Sequence, residues 1–155
     1  MDFFFQAEDG IRDYDVTGVR RVLFRSDVKI HWDRPDKPVW VIGGGVRLQQ
    51  VVLNLITNAT DAMDGQVDKQ IWLDISRKSD VQLQIRDNGP GLEDKDKIFE
   101  PFYTTKSVAG GDGIGLGLSI SYGIVQSFGG QIVGENIPDG GAVFTVGLTS
   151  AEANI

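Results

Sequence analysis

Asn54-Leu-Ile-Thr-Asn58-Ala-Thr-Asp61 and Asp87-Asn88-Gly89-Pro90-Gly91-Leu92 are the two stretches of this chain whose spacing carries chemistry. In the first, two amides and a carboxylate recur at i, i+4 and i+7. On a helix they fall within about 60° of one another. Asparagine carbonyls are neutral oxygen ligands, and a magnesium ion takes one or two protein ligands and fills its other positions with phosphate oxygens and water. In the second stretch a carboxylate ends a strand-like run and is followed at once by a glycine turn. A fixed carboxylate accepts a hydrogen bond from the exocyclic amino group of adenine, where guanine presents a carbonyl. Gly89 and Gly91 carry no Cβ, so a flat base can lie against the chain. A third run, Gly111-Asp-Gly113-Ile-Gly115-Leu-Gly117, leads into a predicted helix, whose free N–H groups and partial positive charge suit phosphates. Together the three runs describe a single nucleotide site, with ATP the leading ligand.

Each run also has an ordinary structural use. An asparagine pair beside an apolar stripe is equally a solvated helix flank. Asp-Asn-Gly-Pro-Gly is equally an Asx-type turn in which Pro90 fixes φ, and glycines at a helix start serve tight packing. The third run is not the dinucleotide fingerprint, and no Gly-Lys-Ser/Thr of the P-loop kind is present.

The elements that must position these residues are legible from periodicity. Val28 to Trp32 alternates like a strand, and Val39 to Ile42 is a short apolar run between Pro38 and Gly43. A helix is predicted from about Val46 to Met63, stopped near Asp64-Gly65. Its buried stripe includes Leu48, Val52, Leu55, Ile56, Ala59 and Met63, with the polar row at the stripe's edge, where a pocket wall would be. Gln70–Ser76 and Val81–Arg86 read as strands joined by a turn at Lys78-Ser79-Asp80. Residues 93 to 113 are polar and glycine-rich, which suggests a mobile functional loop. Phe99 and Phe102 would anchor that loop to the core, and Lys106 would pair with a terminal phosphate. A helix from about Ile114 to Phe128 should end at Gly129-Gly130. Strands at 131–133 and 142–146 follow, around a turn at Pro138-Asp-Gly-Gly141. This order predicts an α/β (α+β) two-layer sandwich with a mixed, largely antiparallel sheet packed on helices.

Composition narrows the classes. With 155 residues, 41% hydrophobic and 24% charged, the chain is ordinary for one soluble domain. A net charge of −7 argues against a nucleic-acid partner. An acidic domain still binds an anionic nucleotide where Mg²⁺ and local donors offset the charge. The absence of cysteine excludes a disulfide framework and thiolate metal sites, and fits a reducing compartment. No apolar run approaches the ~18 residues of a spanning helix, and Phe3-Phe4-Phe5 is too short for a signal-peptide core.

Residues 1–26 read unlike the rest. Gln6-Ala-Glu-Asp-Gly-Ile-Arg-Asp13 is what CAAGCAGAAGACGGCATACGAGAT encodes, which resembles the start of a short-read library adapter. Val16–Val19 and Arg20–Ser26 continue that oligonucleotide after an index and one lost base. The expectation is that residues 1–26 are translated adapter and no domain, that 27–149 form one nucleotide-binding domain, and that 150–155 are a tail.

Taken jointly, the boxes resemble the ATP-binding domain shared by sensor histidine kinases, gyrase-type topoisomerases, Hsp90 chaperones and MutL-type repair proteins, the Bergerat-type fold. The resemblance covers essentially residues 27 to 149. Asn54–Asp61 is similar to the family's asparagine box, Asp87–Leu92 to its first glycine box, and Phe99–Phe102 to its phenylalanine box. Gly111–Gly117 is similar to the second glycine box, and Gly140-Gly-Ala-Val-Phe-Thr145 to the last glycine–threonine strand. The hydrolases of this fold look to carry a glutamate general base four residues before the metal-binding asparagine, where this chain has Asn54. An amide cannot take a proton from water usefully, so the pattern resembles histidine kinases, most of all the C4-dicarboxylate and nitrogen-regulatory sensors.

The resemblance implies Asn58 as the Mg²⁺ ligand with Asn54 beside it, and Asp87 on the adenine amino group. It implies Asp61, Gly89, Gly91 and Leu118 in the nucleotide pocket, Lys106, Gly113, Gly115 and Gly117 around the phosphates, and Thr145 near adenine through water. Asn54, Asn58 and Lys106 would be the catalytic set. The implied partners are a histidine-bearing dimerisation domain and, through the parent protein, a response regulator, with no direct membrane contact. The implied place is the cytoplasm, under an inner-membrane parent. His31, the only histidine, sits in a predicted strand and is not expected to accept phosphate. The alternatives are a serine kinase of the anti-sigma-factor type and a non-catalytic nucleotide-binding module.

Overall fold

The computed structural model describes residues 2–5, 27–33, 35–104 and 116–151. Strand β1 (Asp2–Phe5) pairs antiparallel with β3 (Val39–Ile42) in a small two-stranded sheet. The main sheet contains β2 (Lys29–Asp33), β4 (Gln70–Arg77), β5 (Val81–Asp87), β6 (Gln131–Asn136) and β7 (Ala142–Leu148), in the order β2-β4-β5-β7-β6. Only β2–β4 is parallel; the other three pairings are antiparallel. Helices α1 (Gly45–Ala62) and α2 (Gly117–Ser127) contact each other and supply the second layer. The expected mixed, mostly antiparallel sandwich is therefore the observed one.

Period-two patterning decides which side of the sheet faces the helices. Along β5, Val81, Leu83, Ile85 and Asp87 are buried, and along β7 Ala142, Phe144, Val146 and Leu148. Their neighbours Gln82, Gln84 and Arg86 lie on the opposite face. Against the buried face α1 sets Leu48, Val51, Leu55, Ile56 and Ala59, the same 3.6-residue stripe that the sequence shows. The stops are built as expected. Gly65 takes φ +77 just beyond α1, and Gly129 takes φ +71 just beyond α2, where the Gly130 N–H returns to the Val125 carbonyl at 3.0 Å.

Three boundaries differ from expectation. Helix α2 starts at Gly117, three residues later than the glycine spacing suggested. The chain's packed end runs beyond residue 149, because Ser150 bridges Val41 and the Ala151 N–H donates to the Trp40 carbonyl at 2.9 Å. Asp2–Phe5 form a strand despite their expected foreign origin. A phenylalanine-rich tetrapeptide has high strand propensity, and β3 offers a backbone edge outside the main sheet.

Candidate functional site

Asp87 is the last residue of β5, and the residue is 4% exposed. Strand parity aims it at the helix layer, and the chain turns away immediately after it. One carboxylate oxygen, Oδ1, accepts the Gly89 N–H at 2.9 Å and the Ala142 N–H at 3.3 Å. The other oxygen has no hydrogen bond among the described residues, and Asp87 borders an open cleft. Burial pushes the Asp87 carboxyl pKa above the ordinary value of 3.8, and the two N–H groups oppose that rise. A carboxylate fixed by two backbone donors, with its second oxygen unused, is a built acceptor for an N–H donor from outside.

The cleft has a volume of about 730 Å³, in the range of small-molecule sites. One wall is α1, which presents Asn54, Thr57, Asn58 and Asp61. The floor is Asp87, Ala142 and Phe144 of the sheet, and the start of α2 contributes Leu116, Gly117 and Leu118. Pro90, Gly91, Leu92, Ile98, Tyr103 and Thr104 border the remaining side. The row of amides and the aspartate, separate in sequence, thus face one space. Asn54 donates from Nδ2 to the Gly117 carbonyl and to Ser121 Oγ, both at 3.2 Å, so it also ties the two helices together.

The glycines act differently from the sequence expectation. Gly91 lines the cleft at φ +88, but a Cβ there would sit 2.7 Å from Asn136 Oδ1. Gly89 is not a lining residue. A Cβ on it would crowd Asp87 Oδ1 at 3.0 Å and Met63 at 3.2 Å, so it supports the carboxylate from behind. Gly141, at φ +96, is pressed against the Asp87 carbonyl so closely that a Cβ would overlap it. Asn136 accepts the Leu92 N–H at 2.6 Å and donates to the Leu92 carbonyl at 3.0 Å, pinning the exit of the glycine turn.

Thr145 is a correction. It pairs with Gln84 across the β5–β7 ladder and accepts that residue's amide at 3.3 Å, on the sheet face away from the cleft. Parity places Ala142 and Phe144 beside Asp87, not Thr145. Phe102 is a second correction, because it is 71% exposed at φ +66 and is not packed into the core among the described residues. Phe99 does anchor the loop, with its ring 5.4 Å from Tyr122 and 6.4 Å from Phe144, and Ile98 beside it is 4% exposed. The early part of the expected mobile loop is therefore packed, through successive turns at Lys97, Glu100 and Tyr103. Lys106, Gly113 and Gly115 lie outside the described residues. His31 stacks on Trp72 at 5.1 Å on the sheet's outer face, and its Nε2 is 2.8 Å from Gln70 Oε1, far from any role in the cleft.

Asn136 and Ser121 escaped the sequence reading as site residues, and Gly141 and Ala142 were placed in the last glycine–threonine strand without a role of their own. For Ala142 and Phe144 a signal existed: they share the buried parity of β7. For Asn136 and Ser121 none did, since only the tertiary structure brings them to Leu92 and Asn54.

Residues 43–152 match the family model described as histidine kinase-, DNA gyrase B-, and HSP90-like ATPase. The chain belongs to this ATPase family. Among curated relatives, the C4-dicarboxylate transport sensor protein DctB of Pseudomonas aeruginosa is 39% identical over 126 residues, covering 79% of this chain and 20% of the relative. Sensor protein ChvG of Agrobacterium fabrum is 41% identical over 124 residues, covering 74% and 21%. The chain thus spans about a fifth of the length of these relatives. The solved catalytic domain of histidine kinase ThkA superposes with a TM-score of 0.74 at 28% identity, covering 96% of this chain and 95% of that one. ThkA in complex with the response regulator TrrA gives 0.70 at 25% identity, covering 97% and 42%. Within the ATPase family, this chain is an ATP-binding catalytic domain of the histidine kinase kind, homologous to part of two-component sensor kinases.

Proposed function

We propose that the cleft binds Mg-ATP and that the domain transfers the γ-phosphoryl group to a histidine on a dimerisation segment of its parent sensor kinase. The observation that carries this is the buried Asp87 carboxylate facing the same cleft as Asn54 and Asn58. The free carboxylate oxygen fits the adenine amino group, and a guanine carbonyl would meet it with repulsion. Asn58 and Asn54 offer neutral oxygens on the α1 wall, where Asn58 would hold magnesium. When bound, that ion would offset phosphate charge and polarise the transferable group. Asp61, Gly91, Gly117 and Leu118 complete the nucleotide pocket, and Lys106, Gly113 and Gly115 are assigned to the phosphates from their sequence context.

Asn54 stands where the hydrolases of this family carry a general base, and its amide nitrogen already donates to two acceptors. Such a group removes no proton from water, so the γ-phosphoryl is kept for another acceptor. His31, on the outer sheet face, does not reach the cleft, and the acceptor must come from elsewhere. The relatives' names, and the solved pairing of ThkA with its regulator, support a response regulator as the downstream partner. No helix among the described residues is long and apolar enough to cross a membrane. The domain is assigned to the cytoplasm, with an inner-membrane parent. Within this chain the nucleotide-binding domain is assigned to residues 27–149, with residues 1–26 read as translated adapter.

The test is incubation of the chain with γ-labelled ATP and a supplied dimerisation domain from a similar sensor kinase. An acid-labile phosphohistidine is expected. An acid-stable phosphoester would instead indicate a serine kinase, and nucleotide binding without any transfer would indicate a binding module.

A further inference from the structure

Ser121 is the most deeply buried polar side chain among the described residues, with 0% exposure. Nothing in the proposed phosphoryl transfer uses it directly. It lies one turn into α2, at the contact with α1, on the helix's buried side with Ile124 and Val125. A hydroxyl taken out of water is unfavourable unless it finds a partner. The partner is Asn54, whose Nδ2 donates to Ser121 Oγ at 3.2 Å. The same nitrogen donates to the Gly117 carbonyl at 3.2 Å. A carbonyl can only accept, so the nitrogen end of the Asn54 amide must face α2. The oxygen end has no hydrogen bond among the described residues, and Asn54 borders the cleft.

We propose that Ser121 is a positioning residue: with the Gly117 carbonyl it clamps the Asn54 amide nitrogen, so that the Asn54 carbonyl oxygen is presented to the metal–nucleotide. This rests on the reading of the cleft as a Mg-ATP site. Without the clamp the amide can rotate and turn its N–H₂ toward a cation, which repels it. The role is therefore specific to metal-dependent binding. Adenine recognition at Asp87, on the cleft floor, is left alone.

The experiment compares Ser121→Ala, Ser121→Val and Ser121→Thr in the full chain. Valine and threonine have the same shape and differ in the hydroxyl, so a packing defect affects both alike. Two quantities are read. One is the ratio of ATP affinities with Mg²⁺ and with a chelator, by calorimetry. The other is the Asn54 side-chain amide signal in ¹⁵N-asparagine-labelled protein without nucleotide. Losing one hydrogen bond from the clamp should reduce the Mg²⁺ gain by about three- to tenfold in the alanine and valine variants. The Asn54 amide should move toward the position of a free amide in both, and threonine should retain the wild-type signal and gain. Chelator-state affinity should be unchanged throughout. An unaltered Asn54 signal and Mg²⁺ gain in the alanine and valine variants would overturn the positioning role while leaving the site intact. Equal loss in threonine and valine would overturn it too, as packing. If the wild-type chain binds ATP no better with Mg²⁺ than without, the reading of the cleft falls and the clamp's purpose falls with it.

Discussion

Asp87 concentrates the consequences of single residues. Replacing it with asparagine retains an acceptor for the Gly89 and Ala142 N–H groups, so the turn should survive. The atom facing the cleft becomes a donor, opposed to the adenine amino group. A hydrogen bond to a charged group contributes about 1.5–3 kcal/mol, so ATP affinity should fall roughly 10- to 100-fold in calorimetric titration. Undiminished affinity in Asp87→Asn would remove the base-reading role. The same residue sets a pH dependence. Its folded-state pKa is raised by burial, so the ionised form destabilises the fold once pH exceeds the unfolded value. Asp87→Asn should accordingly melt above wild type at neutral pH, and that margin should vanish as pH falls below the ordinary carboxylate range. In wild type, ATP affinity should weaken as pH falls through the raised pKa. Residue identity made Asp87, Asn54 and Asn58 legible in the sequence, because carboxylate–glycine and i, i+4 amide spacings are local. Thr145 was misassigned because motif likeness was given more weight than strand parity, and counting two by two from Asp87's ladder partners excludes it.

At the scale of elements, the turn between β6 and β7 matters more to the site than its length suggests. Gly141 lets that turn close against the Asp87 backbone and delivers the Ala142 N–H to the carboxylate. Gly141→Ala combines a positive φ with an overlap, and should destabilise by more than about 2 kcal/mol. Thermal or urea melting measures this, and a neutral result would mean the turn has slack. Gly140→Ala is the control for φ alone, since nothing lies within 4 Å of its Cβ position. Strands, both helices and the Lys78–Asp80 hairpin were legible because amphipathic period and turn residues are local signals. The position of the α2 start was not. Glycines are compatible with both loop and first turn, so their spacing does not mark where hydrogen bonding begins. In the 93–104 segment the Phe99 anchor was expected, but the burial of Ile98 and the outward turn of Phe102 were hidden, because three apolar residues in a polar loop give no period to read.

For the molecule as a whole, both helices among the described residues and all five strands of the main sheet follow residue 26. Of the described elements, a chain beginning at Asp27 loses β1, which pairs with β3 outside that sheet. It should melt cooperatively and bind ATP with wild-type affinity. A collapse of cooperative melting would show that the first residues belong to the natural fold. Long-read sequencing of the locus provides an independent check. The single parallel pairing, β2 with β4, has one further consequence. Parallel neighbours cannot be joined by a tight turn, and here the crossover contains β3 and α1. The amide-bearing helix is thereby held by a strand at each end, β3 before it and β4 after it, like a door post. Asn54 and Asn58 thus stand on a post that the chain holds from both sides, across the cleft from the Leu92 latch.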